Sequence, residues 1–441
     1  MSKFLKIKNK IKPFKKEITI EGDKSISIRW ALLASQSKEK SVATNILRSE
    51  DVLSTLNCLK KLGIKVKLTK KKCEIKGRGL NGFRSKDLIL NAGNSGTFGR
   101  LILGLLAHTK FKTKIIGDKS LSKRDFTRVI DPLKKFGASF VSKSGKLPIT
   151  IIGTDNPKAI KHVETKGSAQ VKSSIMLAAL NTRGTTTIKA KKSRNHTELF
   201  YKHLKIPIKI TKKKNYDLIK VNGVKKIKKL NYKIPSDISS SAFFIVLTIL
   251  SNNSKLLIKN VNVNPSRTGI LKILSMMNIK IKTQNIRNYK GEKIADLSIV
   301  SQKNIKPIKC PENLNSASID EFLLIFLLAA KANGISYFKN LSELNAKESP
   351  RLIWGSKILD LMGVKNITTA NSIKIFGNPQ LEINKKINIK NFLKDHRVFM
   401  TCVVAALTFG GEWKIYDKDA INTSFPSFLN KIRYLGAKYS Q

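Results

Sequence analysis

Six polar clusters, each followed by an apolar run, hold most of the side chains that could do chemistry. The first is IEGDKSISIRWALLAS, which contains Asp23, Lys24, Ser25 and Arg29. The other five are LNAGNSGTFGRLILGLLA, VETKGSAQVKSSIMLAAL, YKIPSDISSSAFFIVLTIL, NSASIDEFLLIFLLAA and NFLKDHRVFMTCVVAAL. An Asp, Ser or Asn before an apolar run predicts the capped start of a helix. Helix starts carry N–H groups without helical partners and about half a positive charge, so a set of them could bind phosphates and carboxylates.

Arginine usage also favours an anion-binding function. Only 14 of the 85 basic residues are Arg, so an Arg in this chain marks a place where a planar, bidentate donor is needed. Eight of the 14 lie at or near the polar clusters: Arg29, Arg100, Arg124, Arg128, Arg194, Arg267, Arg351 and Arg397. We expect several anionic groups to be recognised there, with Arg100, Arg128 and Arg267 supporting the fold.

The clusters recur at one rough interval, which indicates a duplicated unit. Their marker residues are about 70 to 83 residues apart: Asp23, Asn94, Ser168, Asp237, Asp320 and Asp395. Between markers the chain alternates strand-like segments with a second helix. After the third marker, TTTIKA, IPIKI and YDLIKVNG predict strands around the helix HTELFYKHLK. One copy alone is explained as a helix cap, but six copies at one period indicate a repeat architecture.

Length and charge limit the class of protein. At 441 residues the chain is long enough for two domains or more. Its 85 Lys and Arg against 29 Asp and Glu give a net charge of +56, which could mark a nucleic-acid-binding protein. The basic residues are spread along the whole chain, however, and no basic patch has interleaved aromatics. This pattern favours a lysine-rich solvated surface that attracts anionic small molecules, with no nucleic-acid partner.

Cysteine usage and apolar patterning point to a cytoplasmic protein. Cys58, Cys73, Cys310 and Cys402 are far apart and form no CxxC or Cys/His group, as expected in a reducing compartment without a metal site. The N-terminal MSKFLKIKNKIKPFKK is basic but lacks the apolar core of a secretory signal. The apolar stretch FLLIFLLAA is too short to span a bilayer, so we expect no membrane partner.

Ten motifs occur in an order that resembles a known enzyme family. They are EGDKSISIR, GNSGTFGR, GDKSLSKRDFTRV, KGSAQVKS, SRNHTE, PSDISSSAFF, NPSRTG, IDEF, KESPRL and DHRVFMT. Together they resemble the 5-enolpyruvylshikimate-3-phosphate synthase family (3-phosphoshikimate 1-carboxyvinyltransferases) from about Ile18 to about Leu429. The resemblance implies transfer of the enolpyruvyl group of phosphoenolpyruvate to the 5-hydroxyl of shikimate 3-phosphate, with release of phosphate. This reaction lies on the shikimate pathway to chorismate and the aromatic amino acids.

The resemblance also implies the fold. It is an α/β protein with the two-domain inverse α/β barrel-like enolpyruvyl transferase fold, each domain having three βαβαββ repeats, six in all. The first domain would be discontinuous, with residues 1–21 and 236–441, and the second would span residues 22–235. The active site would lie in the cleft between the domains. The protein would be a monomer that needs no cofactor and no metal.

By resemblance, the site residues divide between the two substrates. Shikimate 3-phosphate would be bound by Lys24, Ser25, Arg29, Ser168, Ala169, Gln170, Arg194, Asp320 and Lys347. Phosphoenolpyruvate would be bound by Lys24, Asn94, Gly96, Arg124, Gln170, Arg351 and Arg397. Asp320 would be the base for the attacking hydroxyl and Glu348 the proton-transfer residue, with Lys24 as the assisting cation. Arginine forks and backbone amides can clamp carboxylate and phosphate groups.

Other interpretations of the same residues remain open. Asp320 could belong to a helix N-terminal acidic pair favoured by the helix dipole. Asp125 follows Arg124 where the family usually has Pro, which puts the posture of that arginine in question. His196 could position a neighbouring loop, and His396 could orient the arginine after it or touch phosphate. The sister enolpyruvyl transferases that act on UDP-N-acetylglucosamine share the fold, but they carry a loop cysteine near GDKSLSKR, where this chain has none.

Overall fold

The computed structural model describes residues 4–84 and 88–441, in which strands and helices alternate. The strands are β1 (Leu5–Ile7), β2 (Lys15–Thr19), β3 (Lys40–Thr44), β4 (Lys65–Leu68), β5 (Lys72–Lys76), β6 (Leu88–Asn91), β7 (Thr113–Ile116), β8 (Ser139–Lys143), β9 (Lys146–Ile152), β10 (Lys161–Glu164), β11 (Thr185–Lys191), β12 (Ile208–Lys212), β13 (Tyr216–Asn222), β14 (Tyr232–Lys233), β15 (Lys255–Asn262), β16 (Lys282–Tyr289), β17 (Glu292–Val300), β18 (Ile335–Phe338), β19 (Asn366–Thr368), β20 (Ile373–Phe376), β21 (Ile383–Ile389) and β22 (Gly410–Ile415). The α-helices are α1 (Lys24–Ser35), α2 (Glu50–Lys61), α3 (Gly96–Leu106), α4 (Thr127–Phe136), α5 (Ala169–Ala179), α6 (His196–His203), α7 (Ile238–Leu250), α8 (Gly269–Met276), α9 (Asn315–Ser318), α10 (Phe322–Lys331), α11 (Arg351–Met362), α12 (His396–Phe409) and α13 (Phe428–Tyr434).

The chain divides into two compact units. The first consists of Met1–Ile20, Ser236–Arg287 and Lys293–Gln441, and the second of Glu21–Pro235 and Asn288–Glu292. Residues 1–3 and 85–87, which the predicted domain ranges include, lie outside the described residues. Within the described ranges, no helix has both the length and the apolar character needed to cross a membrane.

The observed division differs from the predicted boundaries at Glu21 and at Asn288–Glu292, which join the second unit. Two contacts hold the second of these segments there. The ring of Tyr289 packs edge-on against Tyr232, with 5.1 Å between the ring centroids. The side chain of Glu292 is only 2% exposed and contacts His196. Such contacts join residues far apart in sequence, so the periodicity of the motifs could not predict them.

Three βαβαββ repeats build the second unit. Two are continuous in sequence and form the sheets β6-β7-β9-β8 and β10-β11-β13-β12. The remaining repeat runs from α1 to β5 and takes β14, from the end of the unit, as its first strand, in the order β14-β3-β5-β4. In each sheet the first two strands in the order given are parallel, whereas the other pairs are antiparallel. In the two continuous repeats a helix joins the parallel strands, and such a crossover returns the chain in the same direction.

The first unit contains three further sheets. They have the orders β16-β17-β15-β2, β18-β20-β19 and β1-β22-β21. The N-terminal strand β2 pairs in parallel with β15, so the beginning of the chain completes the first repeat of this unit. In the second of these sheets, a parallel bridge between Lys309 and Tyr337 stands where a first strand would be. Across residues 4–84 and 88–441 the sheets are separate and none closes into a barrel.

Four of the six marker residues cap the helix that follows. They are Asp23, Ser168, Asp237 and Asp395. The cap expectation is wrong for Asn94 and Asp320. Ser95 caps α3 in place of Asn94, and α10 begins at Phe322 without a side-chain cap. These two markers each lie two residues before the first helical residue, so their side chains are not used on the helix and can make other contacts.

Each unit has its own apolar core. In the first unit α12 is buried along its whole length, and in the second unit α3 and α5 pack against each other. These two helices approach so closely that a Cβ on Gly104 would lie 2.1 Å from the carbonyl oxygen of Ser174. Only glycine allows this distance between the two backbones.

We expect Gly104→Ala to lower the free energy of unfolding by roughly 1–3 kcal/mol, because the added methyl must push α3 away from α5. Gly99→Ala, in the same helix, is the matched control. Its Cβ would meet Phe126 at an ordinary 3.4 Å, so it should be neutral or gain up to about 1 kcal/mol of helix propensity. Urea denaturation measures both variants. Equal stabilities would show that Gly104 does not set the helix spacing.

Candidate active site

Lys24, the first residue of α1, pairs with a buried carboxylate. Its Nζ lies 2.8 Å from Oδ2 of Asp51, and the two side chains are 19% and 7% exposed. Asp51 lies in the first turn of α2, where the helix dipole favours an acid. Sequence reasoning missed Asp51, because an acid in the first turn of a helix signals only a helix start.

Arg29, further along α1, is 4% exposed and donates hydrogen bonds to two hydroxyls and a carbonyl. Its Nε donates to Oγ1 of Thr197 at 3.0 Å, and its Nη2 donates to Oγ of Ser173 at 3.1 Å. Its Nη1 donates to the carbonyl oxygen of Ser25, 3.1 Å away. One guanidinium therefore connects α1, α5 and α6. Sequence reasoning also missed the two hydroxyls, since a Ser or Thr inside a helix has no distinctive pattern.

The start of α3 brings two arginines close to a glycine. Oδ1 of Asn94 accepts from Nη2 of Arg124 at 3.4 Å, while Nδ2 of Asn94 donates to Asp118 at 2.6 Å. A Cβ on Gly96 would lie 2.9 Å from Nη1 of Arg100 and 3.1 Å from Nη1 of Arg124. The absence of a side chain thus lets both guanidinium groups lie against the positive end of the helix.

Asp125, the residue that put the posture of Arg124 in question, turns its side chain toward α4. Its carboxylate accepts from the N–H of Thr127 at 2.7 Å, and its carbonyl accepts from Arg100 at 3.0 Å. Burial opposes its ionisation, but the bonds from Thr127 and the charges of Arg128 and Arg100 leave the pKa of Asp125 below its ordinary value. Arg124 meanwhile keeps its bond to Asn94.

The start of α5 contacts the start of α3 through Gln170. Its Oε1 accepts from Nη1 of Arg100 at 3.0 Å, and its Nε2 donates to Oγ1 of Thr97 at 3.0 Å. Ser168 and Ala169 immediately precede it at the capped end of the helix. Arg100, which we expected only to support the fold, therefore contacts a predicted site residue directly.

The loop before α6 carries Arg194, which is half-buried. The helix that follows begins with His196, whose Nδ1 lies 2.6 Å from Oε1 of Glu292. Ser25 is half-buried at the start of α1. All the predicted residues from Lys24 to Arg194 thus belong to the second unit.

In the first unit, Arg351 joins the two predicted proton-transfer residues. Its Nη1 lies 3.3 Å from Oδ1 of Asp320, and its Nη2 lies 2.5 Å from Oε2 of Glu348. Its Nε and Nη2 also donate to the two carboxylate oxygens of Asp395, at 2.9 and 3.2 Å. Arg351 and Asp395 are buried, whereas Asp320 and Glu348 are 18% and 16% exposed. Two of the three carboxylates around this guanidinium therefore reach the surface of the unit.

The carboxylates around Arg351 stabilise its positive charge. Burial alone would lower the pKa of the guanidinium, but the carboxylates of Asp395, Glu348 and Asp320 raise it above its ordinary value. A permanent cation thus lies between two partly exposed carboxylates.

Arg397, at the start of α12, completes this group. Its Nη1 donates to the carbonyl oxygens of Asp320 at 3.3 Å and Ser239 at 3.2 Å. Its backbone N–H donates to Asp395 at 2.8 Å, so one aspartate orders both arginines. Within the described residues, the buried Nε of Arg397 has no hydrogen-bond partner. This donor suits the recognition of an anion.

Two further predicted residues lie near these groups. Lys347 is half-buried and precedes Glu348 in the chain. His396 is buried, and its Nδ1 lies 3.2 Å from Oγ1 of Thr423. Across residues 4–84 and 88–441, no three His, Cys, Asp or Glu side chains are grouped in a way that could hold a metal ion.

Comparison with known proteins gives one consistent result. The model of the EPSP synthase (3-phosphoshikimate 1-carboxyvinyltransferase) family matches residues 8–432. A 3-phosphoshikimate 1-carboxyvinyltransferase of Vesicomyosocius okutanii is 38% identical, over 96% of each chain. One from Thermoanaerobacter sp. (strain X514) is 39% identical, over 93% of this chain and 95% of the other.

This chain belongs to the EPSP synthase family. The predicted family, and with it the prediction of an enzyme, is confirmed. The solved structure of EPSP synthase from Acinetobacter baumannii has a TM-score of 0.87 at 32% identity, covering 99% of this chain and 100% of that chain. The enolpyruvyl transferase NikO from Streptomyces tendae has a TM-score of 0.75 at 12% identity, which supports the fold alone. The predicted fold class is therefore also confirmed.

The cysteines of this EPSP synthase family member can be compared with the loop cysteine of the sister enzymes. All four thiols are buried. Burial raises the pKa of Cys58 and of Cys73 to about 12 and the pKa of Cys310 to about 11, and it also raises the pKa of Cys402. These thiols stay protonated at neutral pH, so none provides a reactive thiolate.

We expect Asp395→Asn to lower the free energy of unfolding by about 2–4 kcal/mol, because it removes the buried charge opposite Arg351 while Asp320 and Glu348 remain. Ser349→Ala is the control. Its hydroxyl donates to the same carboxylate at 2.8 Å, and its loss should cost about 1 kcal/mol. Urea denaturation compares the two variants. If both lost the same stability, the charge pair would not be what holds Arg351.

Proposed function

We propose that this chain transfers the enolpyruvyl group of phosphoenolpyruvate to the 5-hydroxyl of shikimate 3-phosphate and releases inorganic phosphate. Membership of the EPSP synthase family supports this reaction. The observation that carries the assignment of residues is the arrangement around Arg351, where Asp320 and Glu348 lie 3.3 and 2.5 Å from one guanidinium. The product belongs to the shikimate pathway to chorismate and the aromatic amino acids.

Phosphoenolpyruvate brings a phosphate and a carboxylate, and each needs cationic donors. We assign Arg351 and Arg397 from the first unit to it. From the second unit we assign Lys24, Asn94, Gly96, Arg124 and Gln170. The pairing of Arg124 with Asn94, and the closeness of both Arg124 and Arg100 to Gly96, support an anion at the start of α3. The unpartnered Nε of Arg397 supports one in the first unit.

Shikimate 3-phosphate offers a phosphate, a carboxylate and ring hydroxyls. We assign to it Lys24, Ser25, Arg29, Ser168, Ala169, Gln170, Arg194, Asp320 and Lys347. The capped N-terminus of α5 supplies N–H donors beside Ser168, and Arg29 supplies a guanidinium whose orientation is held by two hydroxyls. We also propose that the residues of both units act on one pair of substrates.

The proposed reaction is an addition followed by an elimination. In the addition, Asp320 takes the proton of the 5-hydroxyl as its oxygen bonds to C2 of phosphoenolpyruvate, and Glu348 gives a proton to the C3 methylene. In the elimination, C3 returns a proton to Glu348, the double bond between C2 and C3 forms again, and the bond from C2 to the phosphate oxygen breaks. Lys24, held by Asp51, stabilises the charge on the departing phosphate. Separate acid and base roles need different surroundings for the two carboxylates.

Several expectations about the setting of the enzyme accompany the proposal. The enzyme works as a monomer, without cofactor or nucleic-acid partner. It works in the cytoplasm, and four buried thiols without a disulfide suit a reducing compartment. Its +56 charge acts on the encounter with two anionic substrates.

Phosphate release tests the proposed function. The full chain is incubated with both substrates, and then with each one omitted. Phosphate should appear only when both are present, because the leaving group departs after the shikimate oxygen has added. Phosphate release from phosphoenolpyruvate alone, or none with both substrates, would contradict the proposal.

We expect Asp320→Asn to lower kcat by at least about 100-fold, since general base catalysis contributes about 10²–10⁴-fold. The fold should persist, because Asp395 still pairs with Arg351. Asp360→Asn, an exposed carboxylate on α11 in the same unit, is the control and should keep normal turnover. Initial rates of phosphate release measure both variants. Near-normal turnover of Asp320→Asn would remove Asp320 from the base role.

A further inference from the structure

Three consecutive side chains in the first turn of α6 are all buried in polar contacts. We call His196–Glu198 the HTE turn. Its histidine lies 2.6 Å from Glu292, and its glutamate lies 2.6 Å from Nζ of Lys172. Its threonine accepts a hydrogen bond from Nε of Arg29 at 3.0 Å. The side chains in the contacts of the histidine and the glutamate are at most 3% exposed, and the threonine is 2% exposed.

The threonine hydroxyl belongs to a closed ring of hydrogen bonds. Thr197 Oγ1 and Ser173 Oγ are 2.8 Å apart, and each accepts from a different nitrogen of Arg29, at 3.0 and 3.1 Å. A hydroxyl has one hydrogen and two lone pairs, so each oxygen can accept from the guanidinium while one donates to the other. The two hydrogen bonds that Arg29 donates to these hydroxyls together fix the plane of its guanidinium.

The neighbouring ion pair keeps this ring in place. Lys172 and Ser173 are adjacent in α5, and Glu198 and Thr197 are adjacent in α6, so the ion pair and the hydroxyl pair join the same two helices side by side. Burying two charges is expensive even when they are well paired. A buried network of this kind therefore serves orientation better than it serves stability.

We infer that Thr197 is a positioning residue, which sets the orientation of the Arg29 guanidinium for binding shikimate 3-phosphate. The inference rests on the proposed function, in which Arg29 contacts that substrate. Thr197 acts on Arg29 directly, because its hydroxyl accepts from the Nε of that arginine. Its loss should therefore act on the binding of one substrate, and it should leave phosphoenolpyruvate binding unchanged.

Thr197→Val tests this role because it keeps the shape of the side chain and removes the hydroxyl. We expect the KM for shikimate 3-phosphate to rise roughly tenfold, the scale of one lost hydrogen bond to a charged group, with the KM for phosphoenolpyruvate unchanged. Thr197→Ser restores the hydroxyl and should restore the KM. Phosphate release at varied concentrations of each substrate gives both constants.

Thr182→Val is the matched control for stability. Thr182 is also 2% exposed, and its hydroxyl donates to the carbonyl of Ala178 at 3.0 Å, away from Arg29. It should lower the midpoint of urea unfolding without changing either KM. If Thr197→Val raised both KM values equally, or lowered only the unfolding midpoint as Thr182→Val does, Thr197 would be merely structural and the inference would fall.

A second variant keeps the test decisive if Thr197→Val does not fold. Ser173→Ala removes the other hydroxyl of the ring and should raise the same KM, and an unchanged KM would overturn the inference. Combining it with Arg29→Lys should add little to the effect of Arg29→Lys alone, because the shared partner is already lost. Full additivity would also overturn it. The unmodified chain in the same assay tests the proposed function separately, since its failure to release phosphate would reject that function before any variant is compared.

Discussion

A buried arginine must be neutralised and hydrogen-bonded, and this requirement organises the predicted site of the first unit. Arg351 is almost fully buried, so its charge demands carboxylates. Asp395 accepts hydrogen bonds from Nε and Nη2 of the guanidinium. Asp320 lies beside Nη1, and Glu348 lies beside Nη2. The arginine thereby holds two partly exposed carboxylates at fixed places. Asp395 also caps α12, so the same carboxylate defines the start of a fully buried helix and the position of the cation.

The second unit also holds cationic side chains in polar contacts, but their partners are different. Lys24 is paired with Asp51, a carboxylate in the first turn of the next helix. Two hydroxyls and a carbonyl accept hydrogen bonds from Arg29. Neutral acceptors such as these orient a guanidinium without themselves adding a negative charge beside it. Around Arg351 the corresponding hydrogen-bond acceptors are carboxylates.

The repeats explain why similar segments have different uses. Every repeat places a polar cluster before an apolar helix, and at Asp23, Ser168, Asp237 and Asp395 the cluster caps that helix. Asn94 and Asp320 lie outside the cap position, and both contact arginines. A shift of one residue between marker and helix thus decides whether the side chain caps the helix, although Asp395 both caps α12 and contacts Arg351.

The sequence alone determined what is encoded locally or in ordered motifs: the six helix starts, the strands around α6, the family, and most of the residues grouped here. Local patterns carry this information because caps and periodicity act within a few residues. Only the tertiary structure decided which side chains form hydrogen bonds or ion pairs with each other. Asp51 and Lys24 are 27 positions apart, Thr197 and Arg29 are 168 apart, and Glu292 joins a unit distant from it in sequence. Such partners are chosen by the packing of helices from different repeats, which no local pattern records.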